Sequence, residues 1–365
     1  MTDALPEWAY AGALASLPLQ THHRLRRVLS AASPRDAWSE IQESTSNRVG
    51  ISADVWSAWR AVDKSFVEEL YQQCCRAKVS VITRHDSTYP RQLLLDPTAP
   101  AVLFVLGQLS TQPVQRVGIV GTRAATQYGK HFAQRLGREL SHNGVCVVSG
   151  LARGIDVEAH FGVVHSRGSA APLAVVAGGP DVVYPREHRQ IWKEMEEKGA
   201  IISEYPPGRK PEAYRFPLRN RILAGLSDVL VVVESRSTGG SMLTVNESIK
   251  RGVTVMAVPG SPHLASSAGA NDLLRDGCSP VTSVDDVLVA LGLETQRVTG
   301  SGETRAPLSV DHLRIVDAFQ GLPRTVDELS LLTGLSLVDC AVALGRLEEQ
   351  QWVAHSDGWW EALTQ

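Results

Sequence analysis

The stretch QRVGIVGTRAATQYGKHFAQRLGRELSHNGVCVVSG, residues 115–150, decides the architecture. It opens on an apolar, β-branched run, Gln115–Val120, that predicts a buried strand. A glycine turn follows at Gly121, and Thr126–Ser141 then reads as a helix. Val145–Ser149 returns to a strand pattern. Strand, helix and strand in this order make a βαβ unit, which requires a parallel pair.

The same alternation runs on. It predicts a helix over Asp156–Ser166, a strand over Ala171–Ala177, a helix over Arg186–Lys198 and a strand over Ala200–Glu204. A helix then starts at Arg219–Ala224, followed by a strand over Val229–Glu234 and a helix over Met242–Arg251. A strand over Thr254–Val258 and a helical Asp272–Arg275 close the series. Alternating strands and helices predict an α/β fold whose parallel sheet is covered on both faces. Right-handed crossovers place every strand's C-terminal loop on one edge, where such sheets hold ligands. Upstream, Val79–Thr83 and Ala101–Val105 are two more short strands, separated by the turn-rich HDSTYPRQLLLDPTAP.

The flanks have other patterns. Residues 1–75 read as helical throughout, with a helix start at Ser33-Pro34-Arg35-Asp36 and Trp38, Trp56 and Trp59 as the core of a small bundle. His22 and His23 have no third ligand nearby and read as surface residues. Near the C-terminus, TQRVTGSGETRAP (295–307) reads as a linker. A helix over Val310–Phe319, a helix and turn over Thr325–Leu335, a helix over Ser336–Gln350 and a hairpin at Asp357-Gly358 follow. That order predicts a winged-helix module. The expected divisions are 1–75, 76–292, a linker at 293–306, and 307–365.

With 365 residues, 43% hydrophobic and 21% charged, the composition excludes a disordered or fibrous chain. Apolar runs such as Val229–Val233 stop far short of the ~18 residues of a membrane span. The start, MTDALPEWAYAG, lacks a basic apolar leader, so the expectation is a soluble, cytoplasmic protein. Cys74, Cys75, Cys146, Cys278 and Cys340 are scattered without CxxC spacing, against a disulfide framework or a zinc site. The net charge of -3 hides an asymmetry: residues 116–292 carry a balance of +3 and residues 306–365 one of -6. A polyanion-binding surface is therefore expected in the centre.

Three loops on the ligand edge carry candidate chemistry. Gly121, Thr122 and Arg123 stand between a strand and a helix, where backbone N–H groups favour anions and an arginine fork suits phosphate oxygens. The pattern is neither GxGxxG nor GxxxxGK[ST], so neither a dinucleotide nor a nucleoside triphosphate is indicated. The second loop brings Gly150, Arg153, Gly154, Asp156 and His160; the i, i+4 spacing of Asp156 and His160 fits an ordinary structural pair or a catalytic dyad, with no nucleophile motif beside it. The third brings Phe216, Arg219, Asn220 and Arg221, then Ser237, Thr238, Gly239, Gly240 and Ser241. Clustered arginine beside an aromatic suits a single strand, with guanidinium on phosphate and ring on base. Alternatively Phe216 is core and the arginines pair with Asp228 or Glu234. The TGGS loop is a further backbone nest for an anion.

GIVGTR, VVSGLARGID, Tyr184-Pro185, SEYPPG, FPLRNRILAGLSDVLVVVES, VPG and GANDLLRDGC, in this order, resemble the DNA-processing protein A (DprA/Smf) family over roughly residues 80–285. The resemblance implies an extended Rossmann-like domain that binds single-stranded DNA and dimerises, with a helical SAM-like domain before it and a winged helix after it. It also implies a non-catalytic mediator, without cofactor or metal, that protects incoming strands and loads RecA during natural transformation. By motif, the implied DNA contacts are Gly121, Thr122, Arg123, Phe216, Arg219, Asn220 and Arg221, with Ser237, Thr238, Gly239, Gly240 and Ser241 in a lesser part. Where the family carries a lysine three residues before the phenylalanine, this chain has Ala213, and Lys210 and Arg215 lie close enough to replace it. The rival is a nucleotide phosphoribohydrolase resembling the LOG proteins, suggested by Gly239-Gly240 and Glu247. Only part of that family's PGGxGT…E motif is present. The second helix of the acidic C-terminal module offers Arg346 against Asp339, Glu348 and Glu349, which predicts a protein contact rather than duplex DNA.

Overall fold

A computed structural model of the chain describes residues 5–43, 47, 49–110, 114–293, 308–320, 322–350, 352–356 and 358–363. Of the expected linker only Leu293 falls inside them, and Asp357 falls outside. Five helices open the chain: α1 (Glu7–Ser16), α2 (His22–Ala31), α3 (Pro34–Glu43), α4 (Ala53–Arg60) and α5 (Phe66–Ala77). Next come β1 (Val79–Thr83), a short α6 (Arg91–Leu94) inside the turn-rich stretch, and β2 (Val102–Gly107). The alternation begins with β3 (Arg116–Val120), α7 (Gln127–His142), β4 (Cys146–Ser149), α8 (Ile155–Val164) and β5 (Leu173–Val175). It continues with α9 (Arg189–Lys198), β6 (Ala200–Ser203), α10 (Arg215–Leu226), β7 (Val229–Val232) and α11 (Gly240–Ile249). It ends with β8 (Thr254–Ala257), α12 (Ala268–Arg275), β9 (Ser279–Pro280) and α13 (Val284–Ala290). The last elements are α14 (Val310–Ala318), α15 (Val326–Thr333), α16 (Leu337–Glu349), β10 (Val353–Ser356) and β11 (Trp359–Ala362).

The large sheet has the order β1-β2-β6-β5-β4-β3-β7-β8-β9. From β6 to β9 every pairing is parallel, while β1–β2 and β2–β6 are antiparallel. The chain starts in the middle at β3, steps outward through β4 and β5 to β6, and returns through α10 to β7 on the other side of β3. The strand order therefore reverses between β3 and β7. In a doubly wound sheet that reversal opens a crevice, because the two adjacent loops leave toward opposite faces.

Period-two alternation sorts the strand residues between those faces. Val120, Val148, Val175, Ile202 and Val232 join α10, α11 and α12 in one core. Val117, Ile119, Val147, Val229 and Val231 point the other way, onto α7, α8 and α13. Farther along that second face, Phe104, Leu106 and Ile201 pack with α1 to α5, including the buried Trp38, Trp56 and Trp59. No break in packing separates the first five helices from the sheet. Each fully buried side chain of this size contributes about 1.5–3 kcal/mol by leaving water.

The chain divides into two compact units: residues 1–125 with 132–293, and residues 126–131 with 294–365. In the second, α14, α15 and α16 enclose Ile315, Phe319, Leu329, Cys340, Leu344 and Leu347. Thr325 and Glu328 form a capping box at the start of α15, and Ser336 caps α16. β10 and β11 form an antiparallel hairpin. Among the described residues no single helix is long and apolar enough to cross a membrane.

Candidate functional site

The loop after β3 is held from within. The Thr122 amide donates to the Glu234 carbonyl at 2.7 Å, and the Thr122 carbonyl accepts from Ile155. The Asp156 carboxylate accepts from the amides of Gly121 and Gly150. The amides of Gly121 and Thr122, expected to receive a phosphate, are thus already engaged by an internal carboxylate and a carbonyl. The helix also starts later, at Gln127. Gly154 allows this packing: it has φ +74°, and a Cβ there would stand 2.2 Å from the Thr122 carbonyl oxygen. What this loop presents outward is the exposed side chain of Arg123.

Helix α10 corrects the arginine expectations. Arg215, Arg219 and Arg221 are 1%, 5% and 7% exposed, although all three were expected to meet DNA. Arg221 pairs with Glu204 at 2.6 Å, reaching a carboxylate on the strand edge rather than Asp228 or Glu234. Arg215 donates to the Lys210 carbonyl at 2.8 Å, pairs with Glu212 at 2.9 Å and lies 4.6 Å above the Tyr205 ring. It fixes the turn before α10 and does not replace the missing lysine; Lys210 itself is exposed. Arg219 donates to the Val175 carbonyl and faces Asp156. These guanidiniums are built into the fold because α10 lies against the sheet, where a buried charge needs a partner.

Electrostatics follow burial. Asp156 is pushed up to about 6 by desolvation, against the opposing pull of Arg219 and the Gly121 amide. His160, fully buried one turn later, is pulled down to about 3 by desolvation. Burial also raises Glu204 and lowers Arg219. Asp156 therefore works with Arg219 as a structural pair across two elements. Gly150 permits that approach, since a Cβ there would sit 2.3 Å from the Arg219 Nη1.

Phe216, half-buried at the start of α10, is the aromatic centre of the edge. The Arg123 guanidinium carbon lies 5.1 Å from its ring centroid, and the Tyr184 ring 5.8 Å away. The loop after β7 supplies the other wall. Ser237 donates to Asp272 at 2.6 Å, Ser241 donates to Ser235 at 2.8 Å, and α11 begins at Gly240. Its exposed Arg236 was not anticipated; the legible signal was an arginine just past the apolar strand Val229–Glu234. Together these loops line a cleft of about 590 Å³ at the β3–β7 reversal, with Arg123, Phe216, Arg219, Asn220, Arg236 and Gly240 in its wall. Gly121, Thr122, Gly239 and Ser241 line it as well, whereas Lys210, Arg215, Arg221, Ser237 and Thr238 do not. Arg123 and Phe216 also border a smaller pocket of about 40 Å³, shared with Arg153 and Tyr184. Glu247, the carboxylate of the hydrolase alternative, lies outside the cleft wall and is held by Lys250 at 2.7 Å and Arg251 at 2.6 Å.

The sequence from 80 to 292, which holds this whole cleft, matches the family model described as DNA recombination-mediator protein A. The chain belongs to that family. It is 36% identical over 231 residues to Protein Smf of Synechocystis sp., covering 62% of this chain and 56% of that protein. The chain thus spans little more than half of that relative's length. The X-ray structure of DNA processing protein A (DprA) from Streptococcus pneumoniae superposes with a TM-score of 0.66 at 29% identity, covering 78% of this chain and 98% of that one. A structure from Helicobacter pylori, described as giving insight into the single-stranded DNA binding mode of DNA processing protein A, superposes with a TM-score of 0.53 at 26% identity. It covers 59% of this chain and 95% of that one.

Proposed function

We propose that this chain is a non-catalytic recombination mediator that binds single-stranded DNA along the β3–β7 cleft, protects incoming strands and loads RecA onto them during natural transformation. The observation that carries the reading is the Arg123–Phe216 pair, an exposed guanidinium over a half-buried ring at the mouth of an open cleft. An unstacked base on such a ring contributes roughly 1–3 kcal/mol, and the fork of Arg123 takes phosphate oxygens. Arg236 offers a second cation from the adjoining loop. Asn220 contacts the strand from the cleft wall, while Gly121, Thr122, Gly239, Gly240 and Ser241 let the backbone of the strand approach. Arg219, in the cleft wall, is held there by the Val175 carbonyl and Asp156 and supports the cleft's shape.

In this reading residues 1–75 form a SAM-like helical domain, 76–292 the Rossmann-like DNA-binding domain, 293–306 a linker and 307–365 a winged helix. The protein acts in the cytoplasm as a homodimer through its central domain, and two clefts on one strand turn modest single-site affinity into a stable complex.

The test is fluorescence anisotropy with a labelled single strand and the matching duplex across a salt series. Tight single-strand binding, a much weaker duplex and a log–log salt slope of about 0.7 per neutralised phosphate are expected. Equal affinity for the two forms, or binding indifferent to salt, contradicts the reading.

A further inference from the structure

The three-helix C-terminal unit carries a second surface that the cleft does not explain. Leu331 and Leu332 lie in the last turn of α15, Leu337 and Val338 open α16, and Val342 follows one turn later on the same helix. Leu331 is 85% exposed, Val338 71% and Val342 51%. Only the turn 334–336 separates the two helices, which meet there at 109°, so the helix ends that carry these side chains share one corner. The unit's own core is complete without them: Leu329, Cys340, Leu344 and Leu347 are fully buried from the same two helices. An apolar group of this size on a small unit is a mark of a docking surface.

Its surroundings select the occupant. Asp327, Asp339, Glu348 and Glu349 are exposed on the same two helices, with Arg346 as their one basic residue. Residues 306–365 hold nine acidic and three basic side chains. Nucleic acid is repelled by that charge, and the exposed side chains of α16 are the apolar Leu337, Val338, Ala341 and Val342 and the acidic Asp339, Glu348 and Glu349, with Arg346 alone as a cation. A second copy of the unit would bring like charge against like. We infer that this corner docks a basic amphipathic helix of a different protein, whose apolar stripe covers Leu331, Leu332, Val338 and Val342 while its lysines or arginines meet the acidic rim. This is the helix-in-groove mode of recognition, with apolar anchors for affinity and charge for partner choice.

The 365-residue chain is titrated by anisotropy with a labelled synthetic amphipathic helix bearing leucines on one face and lysines on the other. A second peptide carries glutamates in place of the lysines. The wild type binds the lysine peptide, more weakly as salt rises, and does not bind the glutamate peptide. The double variant Val338→Ser/Val342→Ser loses at least about tenfold in affinity for the lysine peptide, the scale of a truncated interface anchor. Its far-ultraviolet spectrum and its single-strand affinity stay as in the wild type, which separates this surface from the cleft. Failure of the lysine peptide to bind, or equal binding of both peptides, overturns the proposal. So does unchanged affinity in the double variant. Sedimentation showing that the double variant is a smaller assembly than the wild type also overturns it, by making a second copy the occupant.

Discussion

The arginines of the ligand edge fall into two regions that differ in burial and in role. Arg215, Arg219 and Arg221 lie along α10 and are buried; Arg123 and Arg236 lie on the loops either side of the strand reversal and are exposed. The buried three each direct a donor inward, to Glu212, Glu204 or the carbonyls of Lys210 and Val175. The exposed two keep donors for a ligand. A run of arginines in a sequence is therefore not evidence of a charged surface when its helix is pressed against a sheet. The architectural arginines shape the cleft, and in the proposed reading the lip arginines give it affinity.

The largest expected effect breaks the architectural half. Arg221→Ala leaves Glu204, 17% exposed, without its cation, and removing one partner of a largely buried pair costs up to about 3–5 kcal/mol. The denaturation midpoint should fall accordingly, with strand affinity at low temperature retained by whatever fraction remains folded. A midpoint near wild type would place Glu204 in water.

pH sharpens the same half. Burial lifts Asp156 from 3.8 to about 6, so the native state holds this proton more tightly than the unfolded chain. Its contribution to stability is full below pH 3.8 and is lost as pH rises through 6. His160 runs oppositely: lowered from 6.5 to about 3, its contribution is present above 6.5 and lost as pH falls toward 3. Subtracting the stability profile of Asp156→Asn from that of the wild type isolates the first group. The difference should grow in favour of the wild type on acidification, and a flat difference would deny the raised pKa.

The lip half is tested by affinity at unchanged stability. Phe216→Ala should weaken single-strand binding by about tenfold, within the range for losing one base stack. Smallest is Lys210→Ala, an exposed cation outside the cleft wall, for which a loss of about threefold or less is expected. A Lys210 effect larger than that of Phe216 would move the strand's path toward the turn before α10.

Most of the parallel sheet was legible in the sequence because buried strands are short apolar runs and the crossover helices between them keep a constant alternation. β3, β4, β6, β7 and β8 lie within a residue or two of their expected limits, and β5 is shorter than the run 171–177 suggested. The wall residues Arg123, Phe216, Asn220 and Gly240 were also readable, since strand C-terminal loops converge on one edge. The partners of the buried arginines were not. Glu204 meets Arg221 from seventeen positions upstream, and Asp156 meets Arg219 across the sheet, so no local spacing records either pairing. The filled amide nest at Gly121 has the same cause: the carboxylate that occupies it comes from the next βα unit. Nor does composition reveal that α1 to α5 share their core with Phe104 and Ile201.

The most direct test of the division is the single-strand salt titration of Arg123→Ala. Arg123 is exposed and sits over Phe216, so its removal should leave the denaturation midpoint in place while weakening binding about tenfold. The salt slope should also drop by about 0.7, one phosphate contact. An unchanged affinity and slope would contradict the account, and would mean that the strand takes its charge contacts from somewhere other than the lips of this cleft.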